Sequence, residues 1–404
     1  MSYIPLRSLC SRRLPATNGK HFGQAIRRAT AELARSRLLL KSNGFCRLNP
    51  PWRYDRSAGT DAFAHTAFRP HNFRLMKFVV LGLLCTSLLV AFAHAQETPT
   101  PTITPPPKVY PVALPNYDEE TATRLQIFLD NNDFGPGKID GKMGEFFRKA
   151  LISYKHAHAM PKTGAVDQWM LDQVPETYTT YTIREEDLKQ IGDVPGSHAE
   201  QAKLKWMPYT SLLEFVAERF HSAEEYIQKL NPGKDWEHLQ VGDTLKVPNV
   251  LPFEVEKFTE GKVPENPAFA ARKIFVDTHE HLLEVFDGDQ LICVFPITPG
   301  SKTLPAPVGT WKILGAAIWP WFRYDEGMLN HGVRTENFYN LPPGPNNLVG
   351  VLWMGLNKPG IGIHGTNNPE TIGRAASHGC IRLANWDAAR VKDLVSVGNT
   401  VIIF

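Results

Sequence analysis

The chain has 404 residues, long for one domain and comfortable for three. Its net charge of +3 hides an uneven distribution: residues 1–75 carry 14 Lys+Arg against 3 Asp+Glu, whereas residues 96–404 carry 29 against 38, a net of −9. The larger part is therefore acidic, which argues against nucleic acid or an anionic membrane surface as a partner.

The boundary between these parts reads as a leader. Met76-Lys77, the apolar run from Phe78 to Phe92 and Ala93-His94-Ala95 before Gln96 have the plan of a secretory signal peptide, with cleavage after Ala95. The run is near the lower limit for a membrane span and no charged anchor closes it, so no stable membrane insertion is expected after cleavage. Met76 then reads as the true start and 1–75 as upstream sequence included by a start-site error. The alternative is a genuine basic extension resembling an organelle transit peptide. Without the leader, Cys10, Cys46 and Cys85 are gone and Cys293 and Cys380 remain. Cys293 lies in an apolar run, Gln290 to Phe295, and reads as a small buried hydrophobe. Cys380 is the thiol with a function.

Residues 96–117 are rich in proline and threonine, an extended spacer without a core of its own. From 118 to 175 the periodicity is helical. Leu125, Phe128 and Leu129 form one apolar stripe, and Phe147, Ala150, Leu151 and Tyr154 a second. Turn chemistry at Gly135-Pro136-Gly137 and Ile139-Asp140-Gly141 separates them, and a last short helix is expected around Trp169–Leu171. This order resembles the three-helix peptidoglycan-binding domain; a helical spacer without ligand affinity fits the same stripes. Between 176 and 252, Ser222-Ala223-Glu224-Glu225 reads as a capping box. Leu239 to Pro248 reads as a turn and a closing strand. That second half resembles a LysM module, which implies binding of N-acetylglucosamine-containing glycans. The opening strand of such a module is not evident at Tyr209–Leu213, so a structural docking module fits as well as a binding one.

From about 270 the pattern is that of strands: Lys273–Asp277, Leu282–Phe286 and Leu291–Phe295 form a meander around the turn at Asp287-Gly288-Asp289. Pro307 to Ile313, Val349–Leu356 and Thr400–Phe404 supply further strands. The stretch 315–347, with Trp319, Trp321, Phe322, Tyr324, Phe338 and Tyr339, is too long for an idle loop. It reads as a lid over a cleft, with Tyr339 and Trp353 as candidate wall residues.

The chemistry converges on Ile363-His364-Gly365-Thr366 and on Ser377-His378-Gly379-Cys380-Ile381-Arg382, followed by Asn385. A cysteine nucleophile needs a base nearby to form thiolate, and backbone N–H groups aimed at an oxyanion. These segments resemble the active-site signature of the L,D-transpeptidases, the YkuD-like catalytic domain, here expected over 270–404. The resemblance implies Cys380 as nucleophile, His364 as base, and a main-chain carbonyl near Gly365 orienting that base. His378 could serve as the base instead; a loop-fixing role is preferred for it, with Gly379 and Cys380 N–H completing the oxyanion hole. Ser377, Gly365 and Thr366 are expected beside the substrate. Arg382 is suited to a substrate carboxylate or to a salt bridge in the loop, and Asn385 to capping the helix that follows. No spacing typical of a zinc site accompanies the His and Cys residues, so neither metal nor cofactor is expected.

The expected architecture is thus a multidomain α+β protein, a mostly β YkuD-like domain preceded by a peptidoglycan-binding-like domain and a LysM-like module. The implied function is peptidoglycan L,D-transpeptidation outside the cytoplasmic membrane, in periplasm or wall. A stem tetrapeptide would be the donor and an amine the acceptor. The alternatives are L,D-carboxypeptidation, a wall-binding scaffold with an idle catalytic fold, and a cysteine hydrolase acting on other peptides or esters.

Overall fold

The first apolar stripe lies on α1 (Glu119–Asp130) and the second on α2 (Glu145–Ala157). Asp118 caps α1 by accepting the N–H of Thr121 at 2.7 Å, satisfying one of the donors left open at a helix start. Phe147, Leu151 and Tyr154 are buried with Leu125, Phe128 and Leu129, each such side chain contributing about 1.5–3 kcal/mol. A short α3 (Asp167–Asp172) closes the helical region by inserting Met170 and Leu171. These positions come from a computed structural model that describes residues 104–106, 114–162, 167–301, 303–374 and 378–404. The expected upstream extension 1–75, the expected signal peptide 76–95, most of the expected spacer 96–117 and Ser377 lie outside the described residues.

The next segment begins with β1 (Tyr178–Thr182), which pairs antiparallel with β2 (Thr244–Pro248), Tyr178 opposite Pro248. Between them lie α4 (Glu185–Leu188), α5 (His198–Gln201), α6 (Leu212–Arg219) and α7 (Glu224–Leu230). The opening strand not evident at Tyr209–Leu213 is therefore present, well upstream. Residues 209–213 instead lead into α6, where Ser211 accepts Glu214 N–H at 3.0 Å. The expected capping box at Ser222 does not form. The helix starts after Ala223 with no side-chain cap, and the Ser222 hydroxyl donates backward to Phe220 O.

The C-terminal third forms a sheet from β3 (Gly261–Lys262), β4 (Lys273–Asp277), β5 (Leu282–Asp287), β6 (Gln290–Pro296), β7 (Thr298–Pro299), β8 (Gly309–Ile318), β11 (Leu352–Leu356), β12 (Gly362–His364), β13 (Ile381–Arg382) and β14 (Thr400–Ile403). Its order is β6-β5-β4-β14-β8-β11-β12-β13-β7, with β3 on β8. The β14–β4 and β12–β13 pairs are parallel and the rest antiparallel. The meander appears as expected, with Gly288 taking the left-handed turn position that glycine adopts without steric cost. Cys293 is fully buried in β6.

A flap interrupts the sheet between β8 and β11: β9 (Phe322–Tyr324), α8 (Glu326–His331) and β10 (Tyr339–Leu341), with β9 and β10 paired antiparallel. A final helix, α9 (Asn385–Leu394), packs against β11 and α6. Residues 94–404 form one compact unit. A single apolar core runs from Leu125 through the β1–β2 segment to Ile403, so the three expected modules pack on one another rather than standing apart.

Candidate active site

Strand register brings the site together. In the parallel β12–β13 pair His364 lies opposite Arg382, and in the antiparallel β11–β12 pair Trp353 lies opposite His364. Side chains two apart on a strand share a face. Cys380 lies just before β13, and it lines with Arg382, His364 and Trp353 a cavity of about 540 Å³. Gly362, two residues before His364, contributes no side chain there. A Cβ at Gly362 would stand 2.7 Å from the Trp353 ring and 2.8 Å from Met354 O. Its absence gives Trp353 room to stack on His364, with ring centroids 5.4 Å apart.

His364 is 5% exposed. Its Nδ1 donates to Gly365 O at 2.6 Å, which fixes the proton on Nδ1 and leaves Nε2 the unprotonated nitrogen of the neutral ring. The orienting carbonyl is thus that of Gly365. Burial, aided by the Arg382 charge, pulls the His364 pKa down to about 4. Burial likewise pushes the Cys380 thiol up to about 11, against opposing pulls from a Gly362 backbone hydrogen bond and from Arg382. At neutral pH the resting pair is a thiol and a neutral imidazole, not an ion pair. The Cys380 Sγ donates to Gly360 O at 3.4 Å. Gly360 has φ +76° and lies against the Met328 methyl group of the flap.

Gly379 has φ +96°, a backbone conformation that suits glycine. His378 is exposed and lines the cleft. No described residue hydrogen-bonds its ring, so the loop-fixing bonds expected of it are not made among the described residues. Thr366 is fully buried and, with Gly365, stays behind the cleft wall rather than facing substrate. The reason is Asn385, whose Oδ1 accepts Val351 N–H at 3.0 Å and Thr366 N–H at 3.2 Å. Its Nδ2 donates to Glu218 Oε1 at 2.8 Å. Asn385 is the first residue of α9 and does not cap it; Ala384 holds that place without a side-chain bond. It ties the β11 and β12 ends to α6. Burial raises the pKa of Glu218 to about 8, against hydrogen bonds from Tyr209 and Asn385, so at neutral pH it is mostly the neutral acid.

The flap supplies the other wall: Pro320 to Glu326, Met328, Leu329, Asn330 and Arg334. Tyr339 does not reach the cleft. It is 38% exposed, and its cross-strand partner Tyr324 lines the cavity instead. Asp325 is spent internally, accepting from Met328 N, Thr335 N and Thr335 Oγ1. Among the lining residues that sequence reasoning did not name is His198 of α5; nothing in its local pattern marks it. Among the described residues no cluster of three or more His, Cys, Asp or Glu could hold a metal ion.

A glycine-flanked cysteine beside a carbonyl-oriented histidine, in a partly closed cleft, is the equipment of a cysteine acyl-transfer enzyme. The comparisons narrow that class. Residues 271–403 match the L,D-transpeptidase catalytic domain (YkuD). A putative L,D-transpeptidase YkuD of Bacillus licheniformis is 27% identical over 191 residues, 47% of this chain and 92% of the relative. Its namesake in Bacillus subtilis is 44% identical over 71 residues, 17% of this chain and 43% of the relative. A solved L,D-transpeptidase from Mycobacterium smegmatis is 25% identical, with a TM-score of 0.27 over 33% of this chain and 58% of that one. The chain thus carries an L,D-transpeptidase catalytic domain at its C-terminal end, preceded by a helical region.

Proposed function

We propose that the chain is a peptidoglycan L,D-transpeptidase that works in periplasm or cell wall, with Cys380 as nucleophile and His364 as base. The observation that carries this reading is the cleft that Cys380, Arg382 and His364 line together, with His364 opposite Arg382 in register and its Nδ1 held by the Gly365 carbonyl. His364 Nε2 takes the thiol proton as Sγ attacks the carbonyl of the diamino acid at stem position three. The S–C bond forms, the C–N bond to the terminal D-Ala breaks, and the proton held by His364 passes to the departing amine. An acceptor amine then attacks the thioester and releases Cys380, giving a 3→3 crosslink; water in its place gives L,D-carboxypeptidation. Gly379 and Cys380 N–H groups serve the oxyanion, with Ser377 supporting their loop, and Arg382 serves a stem carboxylate.

The upstream segments read as wall-targeting modules. The helical region has the helix order of a peptidoglycan-binding domain, and β1 and β2 bracket α6 and α7 as the strands of a LysM module do, with α4 and α5 as an additional stretch between β1 and α6. The exported location rests on the leader read from Met76 to Ala95.

The test is mass spectrometry of disaccharide-tetrapeptide fragments incubated with the protein and with Cys380→Ala. Cys380-dependent loss of D-Ala with dimer formation is the expected result. Loss without dimers assigns the chain to carboxypeptidation, and no turnover of any stem fragment refutes the enzymatic reading for this substrate.

A further inference from the structure

The cleft takes lining residues from 320–382 and, in addition, His198, which lies outside the matched catalytic domain. His198 arrives with a segment, 198–214, that grips the flap at its start, its middle and its end. At the start, Trp319 has φ +48°, a left-handed conformation that is costly for a bulky side chain. It is held there by Val351 O, by Phe258 O on its indole N–H, and by the edge of Trp206, ring centroids 4.9 Å apart. In the middle, the His198 ring lies on Tyr324, centroids 3.7 Å apart. At the end, Met207 N–H donates to Pro343 O at 2.8 Å and Met207 O accepts Asn346 N–H at 3.2 Å. Asn346 Nδ2 donates to Pro208 O at 2.8 Å and Glu214 Oε1 at 2.7 Å. Gly344 is glycine because a Cβ there would run into the Met207 backbone.

We propose that residues 198–214 belong to the active site: they clamp the flap over Cys380, and His198 is a substrate-contacting wall residue. The ring of His198 rests tilted by 31° against Tyr324, and the residue lines the cleft. Among the described residues none hydrogen-bonds its ring nitrogens, which leaves them for a carbonyl or carboxylate oxygen of a bound peptide. The catalytic domain alone then has an incomplete cleft. The His198 contact rests on the stem-peptide reading above; the clamp does not.

The experiment uses the full chain and three variants. Trp206→Ala and Asn346→Ala each loosen the clamp, and the second removes only two part-buried side-chain hydrogen bonds should the first fail to fold. Amide hydrogen exchange of 319–347 is expected to quicken at least tenfold in both, and iodoacetamide to alkylate Cys380 faster, while strands β4–β6 keep their protection. Unchanged flap exchange would overturn the clamp. His198→Phe keeps a ring on Tyr324 but removes the nitrogens. It is expected to raise KM for disaccharide-tetrapeptide about tenfold, the effect of one lost hydrogen bond, with kcat within about twofold and alkylation unchanged. Wild-type KM in this variant would overturn the contact. Wild-type protein that releases no D-Ala would refute the stem-peptide reading instead, and flap exchange would still decide the clamp.

Discussion

The two walls of the cleft are made differently. One wall is strand: Trp353, His364 and Arg382 sit in register on β11, β12 and β13, and buried Asn385 locks the strand ends from behind. The other is a flap of two three-residue strands and a six-residue helix, with Trp321 54% exposed and its grip supplied by a distant segment. Strand backbone satisfied on both sides opens only with large parts of the fold, whereas such a flap opens locally. On the proposed reading this difference is a division of labour, with chemistry on the sheet wall and selection and access on the flap. Variants in the first should act on kcat, and variants in the second on KM and on flap exchange.

The largest effects belong to the sheet wall. Cys380→Ala should remove turnover, and His364→Ala should lower kcat about 10²–10⁴-fold, the usual span for a general base, as read by D-Ala release. Asn385→Ala strands the Val351 and Thr366 N–H groups and leaves the Glu218 carboxyl with Tyr209 alone. It should cost about 3–5 kcal/mol in denaturant unfolding, with kcat falling alongside. A smaller loss follows Gly362→Ala, where the added methyl meets the Trp353 ring. It should cost about 1–3 kcal/mol and weaken the stacking on His364, with kcat falling more than KM rises.

The pH behaviour sharpens the same contrast. Because the thiol is raised to about 11, alkylation of Cys380 should climb about tenfold per pH unit from pH 7 to 9, with no plateau near pH 6. Because His364 is lowered to about 4, the acid limb of kcat/KM should lie near pH 4 rather than near 6.5. Glu218 should act on stability rather than on turnover. Its folded pKa of about 8 exceeds the unfolded value, so the folded state holds the extra proton and stability should fall as pH rises from about 4.5 to 8. Glu218→Gln keeps the oxygen that Asn385 donates to, and should flatten that decline in melting temperature.

What the sequence disclosed and what it withheld divide along similar lines. The meeting of Cys380 and His364 in one cleft and the Gly365 carbonyl on His364 were legible because short segments of sequence carry them, and the meander because its alternation and its Gly288 turn are local. Asn385 was misread as a cap. Its position beside a helix start is local, but its partners, Val351, Thr366 and Glu218, come from three distant segments. Thr366 was placed at the substrate for the same reason, the pull of Asn385 being invisible in a one-dimensional pattern. Tyr339 and Tyr324 read alike as flap aromatics, and only the placement of the β9–β10 ribbon tells which one meets the cleft. The strand β1 escaped notice because the partner that makes it a strand, β2, lies far along the chain. His198 gave no signal at all; a lone histidine at a short helix start acquires meaning only from what it touches.

The most direct test of the central claim is an intact-protein mass spectrum of the full chain mixed with disaccharide-tetrapeptide and quenched in acid within the first turnovers. The account predicts an adduct equal to the donor less D-Ala, located on Cys380 by peptide mapping. That adduct should be absent in Cys380→Ala and slow to form in His364→Ala. An adduct on any other residue, or D-Ala released at the wild-type rate by Cys380→Ala, would contradict it.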